Sequence, residues 1–327
     1  MDRPHRRIAT ALVAIALLAL AASACSSDGS SSSSSTPTVI VTTSILGDVV
    51  ENVVGDAAEV EVLMPAGVDP HEFELSAAQA AEMQEADVIV ANGLGFEAGM
   101  ADALDAAEGA GVPVYEVAPE VDPLPLAEGD GEHAEEGDEH TEDGGGLDPH
   151  VFTDPERMAR ATENIAGALA DEVPALDTDA VRARADAYAA EVRDLDASVE
   201  EQLAAVPEDR RVLITNHDVF SYFADRYGFE VVGTVIPSGT TLAEPSSQEL
   251  TDLADTIREY DVPAVFADAS SPTELADALA DESGLEVEVV TLYSESLGPE
   301  GSGADTYLGM VQTNADAIAG ALIGGSS

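Results

Sequence analysis

The chain has 327 residues, enough for two ordinary domains, and 45% of them are hydrophobic, so a substantial core can form. Aromatic residues make up only 4% and tryptophan is absent, which leaves Ala, Val and Leu to do most of the packing. All twelve basic residues are arginine against 65 acidic ones; the formal charge of −53 repels nucleic acid and anionic lipid headgroups and attracts cations.

Met1–Arg7 carries Arg3, Arg6 and Arg7, and Ile8–Ala22 is an apolar run too short for a comfortable transmembrane helix. Residues 1–24 therefore read as a secretory signal. The run ends in Ala22-Ser23-Ala24-Cys25, which resembles a bacterial lipobox with Ala22 where leucine is usual. Ala-Ser-Ala is also an ordinary signal-peptidase site. Cys25 is the only cysteine, so it excludes an intramolecular disulfide and any Cys-based zinc site. A free thiol at the cut has no evident role, which favours lipidation of Cys25. Residues 25–37 form a serine-rich tether with nothing to bury.

From Thr38 onward strands and helices alternate, the signature of a parallel α/β lobe covering 38–153. Thr38–Val41, Val60–Met64, Val88–Ala91 and Val112–Val117 are its strands, and Ile45–Gly55 and Ser76–Ala86 are helices. Ser76 and Gln79 stand in capping-box positions. Val68-Asp69-Pro70-His71 follows the second strand. Gly93-Leu94-Gly95 with Glu116 beyond it matches a loose dinucleotide fingerprint, but Glu97 would put a negative charge where pyrophosphate must sit. A glycine-rich turn is the better reading. Ala127–Gly146 is a low-complexity acidic insert holding His133 and His140, too polar to build a core.

Leu147-Asp148-Pro149-His150 repeats the Asp-Pro-His of the first turn. Pro149 biases Asp148 away from helix, and Asp154-Pro155 reads as an N-cap followed by proline at the first helical position. Residues 154–206 are connecting helices: Asp154–Glu172, then a longer one from Thr178 to Val206, about 43 Å at 1.5 Å per residue. Its stripe of Val181, Ala185, Tyr188, Val192, Leu195, Val199, Leu203 and Val206 suits a rigid connector spanning both lobes. A second α/β lobe, 207–327, has strands Arg211–Thr215, Val231–Ile236, Ala264–Ala267 and Glu286–Val290. Helices are expected at Phe220–Tyr227, Ser246–Tyr260, Pro272–Ser283 and Tyr307–Leu322. His217 falls just past the first of these strands, and Glu295 in the loop after the last.

Apart from His5 and the two in the insert, His71, His150 and His217 are the only histidines. All three lie in strand-to-helix connections, two of them in matching turns, and they read as convergent on one metal ion. Neutral imidazoles suit zinc, and Asp69, Asp148 and Asp218 could orient the ring N–H groups.

With Val68–Glu74, Asn92–Glu97, Leu147–Phe152, Asn216–Phe223 and Tyr293–Gly298, the chain resembles the ZnuA/TroA-like cluster A-I substrate-binding lipoproteins of zinc and manganese ABC transporters. The resemblance runs from about Thr38 to Leu322. It implies two parallel-sheet α/β lobes joined by a long connecting helix. A divalent metal, Zn2+ or alternatively Mn2+, would be held between the lobes as transported cargo and passed to an ABC permease. It implies three histidines and one carboxylate as ligands: His71, His150, His217 and, where the family usually has aspartate, Glu295. The protein would be an extracytoplasmic monomer, lipid-anchored to the membrane, binding no nucleic acid and catalysing nothing. A zinc hydrolase fits less well, because Leu75 stands where a His-Glu-x-x-His motif needs its second histidine. A surface adhesion role, a label borne by relatives, finds no repeats or aromatic patches to support it.

Overall fold

The computed structural model describes residues 36–126, 146–236, 240–243 and 245–324. The signal segment, Cys25, the tether up to Ser35 and the insert except Gly146 lie outside the described residues.

The first sheet holds β1 (Thr38–Val41), β2 (Glu59–Val62), β3 (Val88–Ala91) and β4 (Val114–Glu116), all parallel, in the order β2-β1-β3-β4. All four residues of β3 are buried, which explains its unbroken apolar run: a central strand of a parallel sheet is covered on both faces. Around the sheet pack α1 (Ser44–Val54), α2 (Ala77–Met83) and α3 (Ala101–Ala110). Thr43 caps α1 by accepting the Leu46 N–H, and the Ser76–Gln79 capping box forms on α2 as the sequence predicts. β4 is shorter than expected. The Val112 N–H is drawn to Ala107 O at the end of α3, and Pro113 has no N–H to offer.

Two helices follow, α4 (Pro155–Glu172) and α5 (Asp179–Leu203). Asp154 caps α4 with Pro155 at its first position, and Thr178 caps α5. At 25 residues α5 spans about 37 Å, shorter than predicted because Ala204–Val206 already turn away. The two helices pack along each other, and α5 also touches α1. The predicted stripe on α5 is buried except for Leu195, which is half-buried. Asp196 is buried among it, because it receives the Arg226 guanidinium and the Tyr227 hydroxyl.

The second sheet repeats the winding of the first. β5 (Val212–Thr215), β6 (Glu230–Thr234), β7 (Ala264–Asp268) and β8 (Glu288–Leu292) run parallel in the order β6-β5-β7-β8. Its helices are α6 (Ser221–Tyr227), α7 (Ser247–Tyr260), α8 (Glu274–Ser283) and α9 (Tyr307–Gly324). β8 lies two residues later than expected, since pairing with β7 continues to Leu292 opposite Asp268. One apolar core runs through both lobes, from Val39 and Val90 past Tyr188 and Val192 to Phe266, Tyr307 and Ile318. Smaller clusters cover the outer face of each sheet, around Ile40 and Ile89 in the first and Ile214 and Val265 in the second. On α1, Asp48 Oδ2 accepts both the Tyr188 hydroxyl of α5 (2.8 Å) and the Tyr307 N–H of α9 (3.0 Å), tying the two lobes and the connector at one atom.

Candidate metal centre

His71, His150, His217 and Glu295 lie in four separate connections, after β2, β4, β5 and β8 respectively. In open α/β sheets the crevice outside the carboxyl ends of the strands, where strand order reverses, is the usual ligand site. Both sheets reverse there, between β1 and β3 and between β5 and β7.

The two Asp-Pro-His turns fold alike. The His71 N–H donates to Asp69 Oδ1 (2.8 Å) and the His150 N–H to Asp148 Oδ1 (2.9 Å). The rings differ. Asp148 Oδ1 also stands 2.7 Å from His150 Nδ1, so in the neutral ring the proton belongs on Nδ1 and the Nε2 lone pair is left for a metal. Asp69 makes no such ring contact; its Oδ2 faces Ser271 Oγ at 3.5 Å. Asp218 accepts from Ser221 Oγ, and His217 Nδ1 has no hydrogen-bond partner among the described residues. Of the three aspartates expected to orient rings, the structure thus assigns that task to Asp148 alone. Asp218 is committed to its own turn, and Asp69 to its own turn and to Ser271.

Glu295 Oε1 lies 2.8 Å from His71 Nε2, 3.2 Å from His217 Nε2 and 3.4 Å from His150 Nε2. Donors around a tetrahedral zinc with bonds near 2.0–2.1 Å stand about 3.4 Å apart, so this spacing is close to that of a coordination shell. All four donor atoms fall within 4.8 Å of one another. His150, His217 and the Glu295 side chain are sealed from solvent, and His71 nearly so. His150 Nε2, His217 Nε2 and Glu295 Oε2 make no hydrogen bond among the described residues. Orphaned buried polar atoms cost roughly 1–3 kcal/mol each, and the two imidazole nitrogens both face Glu295 Oε1. A divalent cation bound there would satisfy both nitrogens together.

The electrostatics agree. Burial pushes the Glu295 carboxyl up, but the surrounding histidines, His217 foremost, outweigh it and hold the group well below its ordinary range. Burial pulls His150 down, yet the carboxylates of Asp148 and Glu295 prevail and raise it to about 9.

Several further residues build this site. Phe96 stands edge-on to His71 and His150 (centroids 5.6 and 5.8 Å), and Phe152 stands edge-on to His150 (5.9 Å); together they form an apolar wall. Glu97, buried, accepts the N–H groups of Asn92 (2.5 Å) and Gly93 (3.0 Å) and the Thr42 hydroxyl (2.7 Å). These are the amides a pyrophosphate would need, and the chain's own carboxylate holds them. Gly93 is left-handed (φ 84°), and a Cβ there would meet Glu116 Cβ at 2.8 Å, so the glycine serves close packing. Asn92 Nδ2 donates to the Pro149 carbonyl (2.9 Å) and so braces the His150 turn. Across the crevice, buried Asp268 accepts from the hydroxyls and N–H groups of Ser270 and Ser294, fixing the loop that carries Glu295.

Residues 39–321 match the family described as zinc-uptake complex component A, periplasmic. The chain is 31% identical over 292 residues to the zinc-binding protein TroA of Treponema pallidum, covering 88% of this chain and 89% of that one. It is 30% identical over 284 residues to the manganese-binding lipoprotein MntA of Halalkalibacterium halodurans, covering 87% of this chain and 88% of the relative. The solved structure of the periplasmic zinc-binding protein TroA from Treponema pallidum is similar with a TM-score of 0.78 at 30% identity, covering 88% of this chain and 99% of that chain.

Proposed function

The chain belongs to the zinc-uptake complex component A family, and from that membership we propose that it captures a divalent transition metal, Zn2+ foremost, and delivers it to an ABC importer permease. His71, His150, His217 and Glu295 are the ligands in this reading. One observation carries it: three imidazole nitrogens from strand-to-helix connections in both lobes surround one carboxylate oxygen at coordination spacing, in a buried site. Three nitrogens and one oxygen form a borderline-soft set suited to zinc, and manganese lies below zinc in affinity for such donors.

The same enclosure argues against hydrolysis. A catalytic zinc keeps three protein ligands and an open position for water, whereas four protein donors close the shell. The reading extends to a monomeric receptor tethered outside the membrane by a lipid on Cys25. No described helix is long and apolar enough to cross a membrane. The domain limits that go with it are a first lobe to Thr153, helices to Val206 and a second lobe beyond.

The test is metal analysis of protein purified without added metal, followed by calorimetric competition between zinc and manganese. Zinc retained and not displaced by equal manganese supports the assignment. Manganese displacing zinc transfers the site to manganese, for which the unpartnered Glu295 Oε2 would supply a further oxygen donor. No binding of either metal overturns the reading.

A further inference from the structure

The phenol of Tyr222 reaches out of the second lobe into the first. Its residue is fully buried on α6, five positions after His217 in sequence. The hydroxyl donates to the Asp148 carbonyl (2.5 Å) and accepts the Leu124 N–H (2.9 Å). Leu124 and Asp148 are themselves paired, since the Asp148 N–H donates to Leu124 O (2.8 Å). The ring is held in turn: the Arg157 guanidinium lies over it at 4.9 Å, and that arginine is fixed by an ion pair with Asp154 and by donating Nε–H to Asp122 O. Burial pushes the phenol pKa up, so the hydroxyl stays a donor.

What the hydroxyl grips is the backbone of the one aspartate that orients a ligand ring. The Asp148 carbonyl leads into Pro149, which has no N–H, so this peptide cannot be anchored through its nitrogen side. Tyr222 holds the carbonyl; Oδ1 of the same residue holds His150 Nδ1 and the His150 N–H. The segment that carries one nitrogen donor of the second lobe therefore also anchors the carboxylate that prepares a nitrogen donor of the first.

We propose that Tyr222 is a positioning residue of the metal centre, which acts across the lobes through the Asp148 carbonyl to keep the Asp148 carboxylate on His150 Nδ1 and the His150 lone pair on Nε2 facing the metal. The inference rests on the metal-binding reading above and adds a residue that touches no metal ligand. It separates Tyr222 from Asp69 and Asp218, which lie closer in sequence to ligands yet orient none of their rings.

The experiment is a double-mutant cycle on the full chain, with zinc affinity read by competition against a chromophoric chelator. Tyr222→Phe is expected to weaken zinc about tenfold, the low end of the 10- to 100-fold loss typical when a group supporting a metal ligand is removed. In an Asp148→Ala background, where no carboxylate remains to be positioned, the same change is expected to add less than about twofold. Equal losses in both backgrounds would make Tyr222 a general packing residue and overturn the proposal, as would an unchanged affinity of Tyr222→Phe. The visible spectrum of the cobalt-substituted protein gives a readout that loss of packing alone does not move. It should change on Tyr222→Phe, and an identical spectrum overturns the proposal. Should that variant fail to fold, 3-fluorotyrosine at position 222 keeps the ring and hydroxyl while altering the hydrogen bond. An altered cobalt spectrum is then expected, and an unaltered one overturns the role. Failure of the wild-type chain to bind zinc or cobalt at all would overturn the metal-binding reading and the role of Tyr222 together, whereas normal wild-type binding with an unaffected variant overturns only the latter.

Discussion

In the first lobe, His150 is surrounded by restraints: Asp148 on its Nδ1, Asn92 on the preceding carbonyl, and Phe96 and Phe152 against its ring. In the second lobe, His217 is equally buried, yet neither ring nitrogen makes a hydrogen bond among the described residues. The strand orders of the two lobes are the same, so topology does not account for the difference. It arises at Asp148. That carboxylate stands on His150 Nδ1, which Asp69 in the matching turn does not do for His71, whereas Thr215-Asn216-His217 offers only the Thr215 hydroxyl, which donates to the His217 carbonyl. Burial excludes water from a ligand, but only an acceptor on the far nitrogen chooses its tautomer. One histidine of the centre, His150, is set in advance; His217 would be fixed only by a bound metal.

The largest effects should come from the ligands themselves. His150→Ala and His217→Ala are each expected to weaken zinc by about a thousandfold or more, near 4 kcal/mol, in competition titrations. Glu295→Ala should lose less than His217→Ala, because water replaces an oxygen donor more readily than a nitrogen one. A smaller loss for His217→Ala would mean that the unbraced histidine is dispensable and would break the comparison. Since the donors come from both lobes, zinc at a thousand times its Kd should raise apparent stability by about 4 kcal/mol. A Tm indifferent to saturating zinc in calorimetry refutes a site shared by the lobes.

Asp148→Asn should cost roughly 10- to 100-fold in zinc affinity. Asp69→Asn and Asp218→Asn, whose carboxylates make no hydrogen bond to a histidine ring, should each change it by less than about threefold. Equal effects at the three positions would erase the distinction drawn for Asp148.

The pH response sharpens it further. His150 is raised from its ordinary 6.5 to about 9 in the metal-free protein. Its contribution to metal-free stability is therefore fully present below pH 6.5 and lost as pH rises through about 9. Zinc requires the neutral ring, so affinity should rise with pH across that same window, by up to about tenfold per unit. In Asp148→Asn the rise should level off at lower pH. Isothermal titrations between pH 6 and 9.5 read both; a wild-type affinity already flat above pH 7 contradicts the raised histidine.

Much of this was legible in the chain. Alternating apolar runs placed most elements, and Ser76 and Asp154 state their helix starts locally. The three histidines stood out by scarcity and by their repeated turn. The supporting groups did not stand out, since their roles exist only across distant segments. Asn92 meets Pro149, Tyr222 meets Asp148 and Asp268 meets Ser294 through separations that no local pattern records. Asp196, an acidic residue inside an apolar stripe, reads as solvent-facing until Arg226 and Tyr227 arrive. The equal treatment expected of Asp69, Asp148 and Asp218 failed because identical turns fix a backbone but not the rotation of a ring.

The distance along the chain between the donors has a consequence for assembly. His71 and Glu295 touch across 224 residues, and each of the four donors comes from a different strand-to-helix turn. Contacts of such long range form late, because the loop-closure entropy must be overcome before they contribute. A chain emerging from its amino end holds two histidines once the first lobe is built, a third after β5, and the carboxylate only when β8 has joined its sheet. Full coordination is thus a property of the finished topology. Metal uptake through these four residues would then report the end of folding, and a partly folded chain would compete poorly for the ion.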